Sequence, residues 1–344
     1  MSKFKLTMVT LLLVGLAMIF ALLVVPSASQ AEQPTIINIR TAPLGSFDFT
    51  VGMIIADISK EHQWLHASVV EGRGGAWSLR YLIEHPEARE NTIFAGSPLT
   101  GLQAVKGIGA FKGTPMPEAK NMKGLMSHSI MSGYFLTLDP NIKTVYDLEG
   151  KRVALGRKGQ NSWAQVPSQM LAALGIKARL EFLGPTEASA ALIERKVDAC
   201  IDIILSDISG TKSTQSTGYI KAVSTRGKDL RPVGWKDEAT AKKAIGAVDP
   251  YGQAITIAPN IFVNQPEALW VGSRPVGFSC WATLPDKIVY ELVMMMGPSW
   301  EKYEDRHAQL KCTTLETRGK SWPKDYYHPA AIKAYEKLGI KYSE

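Results

Sequence analysis

The sequence predicts an α/β fold arranged in two lobes, and two observations lead to this prediction. Segments rich in β-branched residues alternate with amphipathic helical segments, and loops that carry glycine or serine join each strand to the next helix. This order is typical of parallel α/β sheets, in which the ligand-binding loops follow the carboxyl ends of the strands. The chain also has 344 residues, which is more than the roughly 250–300 residues at which single hydrophobic cores stop growing.

The first predicted lobe opens with a strand over residues 35–41, where isoleucine and threonine dominate. A loop with Gly45 and Ser46 follows. Apolar residues between 51 and 58 then recur with i, i+3, i+4, i+7 spacing, which predicts an amphipathic helix. The remaining elements of this stretch are predicted in the order strand 68–71, loop 72–75, helix 77–84 and strand 92–95, which runs into Gly96 and Ser97.

The next stretch predicts a second α/β lobe inserted into the first. Residues 125–138 are predicted as two successive strands. After them come strand 152–155, loop 156–162, helix 163–174, strand 179–183, helix 187–196 and strand 197–205. The chain then returns with predicted strands 255–262 and 276–281 and predicted helices 288–296 and 330–338. We therefore expect lobe 1 to combine residues 35–127 with 225–344, and lobe 2 to span residues 128–224.

The N-terminus predicts an export signal over residues 1–31. Two lysines precede an apolar stretch at residues 6–25, and small residues follow it up to Ala31. This is the order of a secretory signal peptide, so we expect cleavage after Ala31 and a mature chain outside the cytoplasm. An uncleaved membrane anchor is the alternative, because about 20 apolar residues can span a bilayer.

Composition narrows the function classes. The formal net charge is +7, and removal of Lys3 and Lys5 with the signal leaves +5. Lysines and arginines do not gather into a stripe with aromatic residues between them, so we expect no nucleic-acid partner. The three cysteines are too few for a disulfide framework. Either Cys280 and Cys312 form one bridge, or Cys200, Cys280 and Cys312 are all small buried thiols.

Three segments resemble a known family. Residues 144–156 (TVYDLEGKRVALG) are similar to the D-L-x-G-K-x-V-x-x-G segment of periplasmic solute-binding proteins of the type II fold. Val197-Asp198-Ala199 resembles a second segment of these proteins, and residues 327–339 (YHPAAIKAYEKLG) resemble the ending F-H-P-G-A-x-x-Y. Together they resemble the TAXI family, the solute-binding subunits of tripartite ATP-independent periplasmic (TRAP) transporters.

The resemblance implies a two-lobed periplasmic binding protein with its ligand in the cleft between the lobes. Binding would close the lobes by a hinge motion, and the closed form would dock on the membrane permease subunits of a TRAP transporter. No cofactor and no catalysis are implied. The alternatives are a receptor for an ATP-driven (ABC) transporter or a sensor kinase on the same fold, and a periplasmic enzyme.

The loop 156–163 is the first candidate ligand site. Its glycines, including Gly159, allow backbone N–H groups to converge, and Asn161 or Ser162 is a suitable N-cap for the following helix. An anion is the ligand that such a loop suits. The other members of this candidate site are Arg157, Gln160 and Trp163. The alternative is an ordinary strand-to-helix turn whose charges face water.

The loop 73–77 is the facing candidate. Arg73 could hold a carboxylate with its two-pronged guanidinium, and Trp77 could cover an apolar ligand body. The alternative places Trp77 in the core and Arg73 in water. The remaining candidates for ligand contact are Gly45, Ser46, Gly74, Gly75, Gly96, Ser97 and Asp207.

The predicted ligand is a small organic anion, most plausibly a carboxylate with an apolar or aromatic body. Two glycine-bearing loops each contain an arginine, Arg73 and Arg157, and a tryptophan follows each. Of the two, Arg73 is favoured as the carboxylate partner. Nucleophile motifs are absent from the sequence, and the i, i+4 pair His62 and His66 lacks the glutamate of a zinc-protease helix, so no metal site is expected.

Overall fold

The computed structural model describes residues 34–44, 46–158 and 160–342. The predicted export signal at residues 1–31 therefore lies outside the described residues, as do Gly45 and Gly159. The described chain from Ile36 onward forms one compact unit. Within the described ranges, no helix combines the length and apolar character needed to cross a membrane.

Eleven strands of the described chain join in one sheet. Eight of them lie side by side in the order β2-β1-β3-β11-β4-β7-β5-β6, while β10 pairs with β11, β8 with β7 and β9 with β4. The strands are β1 Thr35–Arg40, β2 Leu65–Val70, β3 Thr92–Ala95, β4 Met122–Thr137, β5 Arg152–Leu155, β6 Arg179–Phe182, β7 Ala199–Ser206, β8 Ser213–Gln215, β9 Arg231–Val233, β10 Gln253–Ile257 and β11 Leu269–Trp281.

Ten α-helices of the described residues cover the sheet. They are α1 Phe47–Ser59, α2 Gly75–Glu84, α3 Pro98–Lys106, α4 Val166–Ala173, α5 Pro185–Ile193, α6 Thr217–Arg226, α7 Glu238–Gly246, α8 Asp286–Ser299, α9 Leu315–Lys320 and α10 Pro329–Lys337. Short 3-10 turns connect several of them, and a π-helical turn at Asn161–Gln165 precedes α4. The α/β class predicted from the sequence is confirmed.

Two separate hydrophobic cores lie on the two halves of this sheet. The first core packs α1, α8 and α10 against β1, β3, the start of β4 and the end of β11. The second core packs α4, α5 and α7 against β5, β7, the end of β4 and the start of β11. Two cores joined by two long strands are the physical basis of a two-lobed molecule.

The lobe boundaries at 127/128 and 224/225 stay a prediction. Buried side chains between residues 230 and 271, such as Leu230, Trp235 and Val271, pack in the second core. This packing favours a return to the first lobe near residue 271, within β11, over a return at residue 225.

The predicted pair of strands over residues 125–138 is wrong, because residues 125–137 lie within one strand of 16 residues, Met122–Thr137. Gly133 does not interrupt it, since the strand changes partner instead of turning back. Up to Met131 β4 pairs with β11, and from Ile130 onward it pairs with β7. One continuous strand therefore runs from the first core into the second.

The predicted strand 276–281 begins seven residues earlier than expected, at Leu269. Pro275 has no N–H group, and such residues are confined to strand edges. On one side of β11, β10 reaches only to Ser273 and β3 begins only at Phe278. The proline lies in the gap between them, where β11 is an edge on that side and loses no ladder bond.

All three cysteines are free and buried. Of the two alternatives drawn from the sequence, the structure therefore has the three buried thiols and not the bridge.

Candidate functional site

A buried arginine lies where the two halves of the sheet meet. Arg274 sits in β11 opposite Met131 of β4, at the point where both strands change partners. The adjacent hydroxyls of Ser132 and Ser273 are 2.6 Å apart and join the same two strands. Only 6% of Arg274 is exposed, so the lobe junction holds a cation that has lost nearly all contact with water.

The partners of Arg274 leave part of its guanidinium unsatisfied. Its Nη2 donates to the Ser162 hydroxyl at 2.5 Å. Its Nη1 is 3.9 Å from a carboxylate oxygen of Asp249, which is too long for a hydrogen bond. Among the described residues, Nη1 has no hydrogen-bond partner.

Burial has the largest effect on the pKa values of Arg274 and its neighbour Asp249. It lowers the pKa of Arg274, although the carboxylates of Asp249 and Asp48 act in the opposite direction. Burial also raises the pKa of Asp249, and Arg274 and the Tyr251 N–H oppose that shift. A guanidinium stays charged despite such a shift, so a permanent positive charge with a free N–H remains at the junction.

The π-helical turn at Asn161–Gln165 brings the second lobe to this cation. Residue 156 packs so closely against this turn that only glycine fits: a Cβ at this position would lie 2.3 Å from Cβ of Trp163. The Asn161 amide donates to Gln103 on α3 at 3.4 Å. The turn thus supplies the Ser162 hydroxyl to Arg274 and also contacts a helix of the other half of the molecule.

The amino end of α1 faces the same region. Ser46 caps this helix by accepting from the Phe49 N–H at 3.2 Å. Asp48 in the first turn is 2.8 Å from the Nε2 of the buried His128. Phe47, Met131 and Trp163 all pack against one small apolar cluster of Ile203, Leu205 and Cys312.

A small cavity opens beside Arg274. It has a volume of about 20 Å³, which is space for roughly one small group. Most of its wall is apolar, and Arg274 and Ser162 are the polar members. The lining residues are Met131, Gly133, Ser162, Val166, Pro167, Met170, Ile201, Ile203, Trp235, Ile245, Gly272 and Arg274.

The family follows from a profile match over most of the chain. The profile of the NMT1-like family matches residues 39–339. The chain belongs to the NMT1-like family. No curated protein sequence matches this NMT1-like chain.

Solved structures similar to the NMT1-like chain share its fold. One is a TctC solute binding protein from Polaromonas, at 13% identity and a TM-score of 0.51, with 88% of this chain and 96% of that chain covered. Another is Rpa4515 of R. palustris with adipate, at 15% identity and a TM-score of 0.50, covering 89% and 97%. A third is described as a periplasmic transporter, at 13% identity and a TM-score of 0.50, covering 88% and 94%.

At these identities the likeness establishes the fold alone. The predicted two-lobed periplasmic binding protein fold of this NMT1-like protein is confirmed. Its finer assignment to the TAXI family stays a prediction.

The predicted loop 73–77 of the NMT1-like chain lies apart from the contacts of Arg274. The Arg73 side chain is exposed, and Trp77 is 38% exposed. A different arginine, Arg40, lies over the Trp77 ring at 4.6 Å. Among the described residues, no contact joins this loop to Arg274 or Ser162, and the predicted role of Arg73 stays a prediction.

The glycines and serine of the first lobe have identifiable structural roles. Gly74 is the N-cap of α2 at φ 93°, where a side chain would be strained. Gly75 approaches the β3 carboxyl end so closely that a Cβ would lie 2.5 Å from the Ala95 carbonyl oxygen. Gly96 donates to the Gly277 carbonyl, and Ser97 caps α3.

The other predicted site residues pair with nearby protein groups. Arg157 forms a 3.1 Å ion pair with Glu187 on α5, with both side chains largely exposed. Gln160 accepts from the Arg157 N–H at 2.8 Å. The Asp207 carboxylate accepts from Ser209 and from the Lys212 N–H, which shapes the turn after β7.

The sequence analysis missed Arg274 and its two acidic neighbours. One signal could have found the arginine, because Arg274 stands in the run Leu269–Trp281, which is otherwise free of charge. Charged residues are almost never fully buried unless paired, so a lone charge in a buried strand indicates a partner elsewhere.

Proposed function

We propose that this NMT1-like protein is an exported receptor that binds a small organic anion in the cleft between its lobes. The observation that carries the proposal is the unsatisfied Nη1 of the buried Arg274. Asp249 lies 3.9 Å from this guanidinium but makes no hydrogen bond to it, and a buried charged N–H without an acceptor is costly. A carboxylate or sulfonate can accept a hydrogen bond from Nη1 and so satisfy the remaining donor of the guanidinium.

The same region offers the remaining groups that an anion needs. Ser162 fixes the guanidinium from the second lobe, and the amino end of α1, whose Asp48 acts on Arg274, belongs to the first. Helix amino ends favour negative charge. We propose that the Gln160 to Ser162 backbone closes over the ligand, with Arg274 as its main partner.

The predicted loop 73–77 remains a second proposal for ligand contact. It comprises Arg73, Gly74, Gly75 and Trp77, and it flanks Gly96 and Ser97 in the same lobe. In this version Trp77 covers an apolar ligand body. The exposure of Arg73 supports Arg274 over Arg73 as the group that binds the charge, since bidentate pairs gain strength when water is excluded.

Ligand binding is proposed to close the two lobes by a hinge. One of the contacts between the lobes, the 3.4 Å hydrogen bond between Asn161 and Gln103, is weak enough to open. β4 and β11 cross between the cores, so a small change in their twist would separate the lobes. Transport receptors use such closure to report an occupied site.

The closed form would deliver its ligand to the membrane permease subunits of a TRAP-type transporter. The family resemblance supports this partner, and an ABC transporter or a sensor kinase is the alternative. Gene neighbourhood separates them: a fused large permease supports the TRAP assignment, and an ATPase subunit contradicts it.

Calorimetry on the mature protein tests the proposed ligand class. The panel contains carboxylates, sulfonates, neutral sugars and organic cations. We expect binding of carboxylates or sulfonates, and mass spectrometry should find each bound anion chemically unchanged. Tight binding of a neutral sugar or a cation alone, or conversion of a bound anion, would contradict the proposal.

A further inference from the structure

We infer that the solute carries one negative charge and a short apolar end, so that the site discriminates against dicarboxylates. The inference rests on the proposed function and deepens it. It comes from the charges around Arg274 and from the apolar wall of the adjacent cavity.

The carboxylates around Arg274 disfavour a second negative group on the ligand. Asp249 is 3.9 Å from Arg274, and Asp48 also acts on it. Both acids are largely removed from water, because Asp249 is 2% exposed and the Asp48 side chain 29% exposed. The guanidinium therefore already has the Asp249 carboxylate beside it, while Asp48, which is bonded to His128, acts on it more weakly than Asp249.

A first anionic group gains the free Nη1 as a donor and so offsets this repulsion. A second anionic group on the same ligand would be repelled by the Asp249 carboxylate beside Arg274, and like charges repel strongly where water is excluded. Among the described residues, no other arginine or lysine lines the cavity. A dicarboxylate therefore lacks a partner for its second charge.

The far wall of the cavity favours a methyl or methylene group. Met131, Met170, Ile201 and Ile203 supply apolar surface there, and the volume of about 20 Å³ matches a single small group. An uncharged end gains from leaving water, whereas a charged or hydroxylated end would lose hydrogen bonds.

Gly133 and Gly272 set the size of this space. A Cβ at Gly272 would lie 2.3 Å from the end of Met170, so this glycine cannot change without rearrangement. A Cβ at Gly133 would meet only Ile201, at an ordinary 3.7 Å. Gly133→Ala therefore fills part of the cavity without a clash.

Three probes of matching length test the charge inference by calorimetry: butyrate, succinate and 4-aminobutyrate. They share one carboxylate and differ at the other end, which is a methyl group, a second carboxylate or an ammonium. We expect butyrate to bind at least about tenfold more tightly than succinate. 4-Aminobutyrate should also bind more tightly than succinate, because its ammonium is not repelled by Asp249. Equal or tighter binding of succinate than of either other probe would overturn the inference, and so would the absence of butyrate binding at millimolar concentration.

The variant Gly133→Ala tests the apolar end. We compare affinities for the unbranched carboxylates from acetate to hexanoate. The methyl group added in Gly133→Ala should occupy the space of about one ligand methylene, which lowers the affinity for the best ligand roughly fourfold. The chain length that binds most tightly should become one carbon shorter. Gly246→Ala is the matched control, because a Cβ at Gly246 contacts nothing within 4 Å. An unchanged length profile in Gly133→Ala would contradict the role of the cavity.

The two levels of the argument fail in different ways. If dicarboxylates bind as well as monocarboxylates and both require Arg274, the further inference is wrong and the proposed function stands. If no anion of either kind binds, the proposed function is wrong as well.

Discussion

Arg274 and Asp202 are both buried charged residues, yet they differ in what surrounds them. Arg274 lies at the lobe junction, beside a cavity, with one N–H group unsatisfied. Asp202 lies in β7, 1% exposed, and faces Tyr134, Ser216 and Tyr219 inside the second lobe. Burial raises the pKa of Asp202 to about 7, which lets this side chain take up a proton.

The difference shows which buried charge points to a ligand. A carboxyl group can escape the cost of burial by protonation, so Asp202 requires no external partner. A guanidinium cannot lose its proton in a protein, so an unpaired N–H beside a cavity stays available to an anion. We therefore assign Arg274 to binding, and Asp202 to the pH dependence of stability.

The largest expected effect belongs to Arg274→Gln. Loss of one partner of a buried charge pair costs about 2–5 kcal/mol, so affinity for the best anion of the panel should fall by roughly thirtyfold or more. Calorimetry measures this directly.

Arg318→Gln is the control for Arg274→Gln. Arg318 is also buried, at 3% exposure, but its guanidinium lies 5.3 Å from the Trp300 ring among the C-terminal elements. Its replacement should lower the melting temperature and leave affinity unchanged. Equal loss of affinity in both variants would show that the Arg274 effect comes from general destabilisation.

Asp202→Asn should remove a pH dependence of stability. Between the unfolded pKa near 4 and the folded pKa of about 7, the folded protein keeps a proton that the unfolded chain has lost. The stability of the wild type should therefore fall as pH rises, by about 2–3 kcal/mol between about pH 5 and pH 8, and level off above the folded pKa. Urea unfolding at the two pH values should show this slope in the wild type and not in the variant.

Asp147→Asn provides a contrast of opposite sign. Hydrogen bonds from the Thr144 and Lys143 N–H groups hold the pKa of Asp147 below its usual range. Its contribution to stability is present at neutral pH and disappears in acid, as the carboxylate is protonated. For Asp202, the contrary outcome is a free energy of unfolding that falls with rising pH as steeply in Asp202→Asn as in the wild type.

Ser162→Ala should have a moderate effect on binding. The hydroxyl holds the guanidinium at 2.5 Å, and the loss of a hydrogen bond of this kind costs about 1 kcal/mol, or roughly fivefold in affinity. Ser168→Ala is the control, because its hydroxyl bonds to the Gln165 carbonyl in the neighbouring helix. Equal affinities for the two variants would argue against a role of Ser162 in positioning Arg274.

Arg73→Ala should have the smallest effect, less than about threefold in affinity, because an exposed guanidinium contributes little. Calorimetry with the same anion gives the answer. A loss of affinity of thirtyfold or more would instead assign anion binding to Arg73 in the loop 73–77, as favoured from the sequence alone.

The sequence predicted local features of the site better than the group at its centre. The loop 156–163 was predicted from its glycines and the helix after it from apolar spacing, and Ser162 does contact the buried cation. The predicted N-cap role of Asn161 or Ser162 is wrong, because both lie inside the π-helical turn, whose N-cap is Gln160. Arg274 escaped because it is 112 positions from Ser162 and lies in a strand, where no loop motif marks it. The strand itself was predicted too short, and the pairing of β10 and β3 shows how Pro275 is accommodated within it.

A crystal structure of the protein with the tightest-binding anion of the panel tests the central claim most directly. We expect the anionic group within about 3 Å of the Arg274 Nη1, with its apolar end toward Gly133. An anion bound at the 73–77 loop, or elsewhere in the cleft with Nη1 still unpaired, would contradict the account.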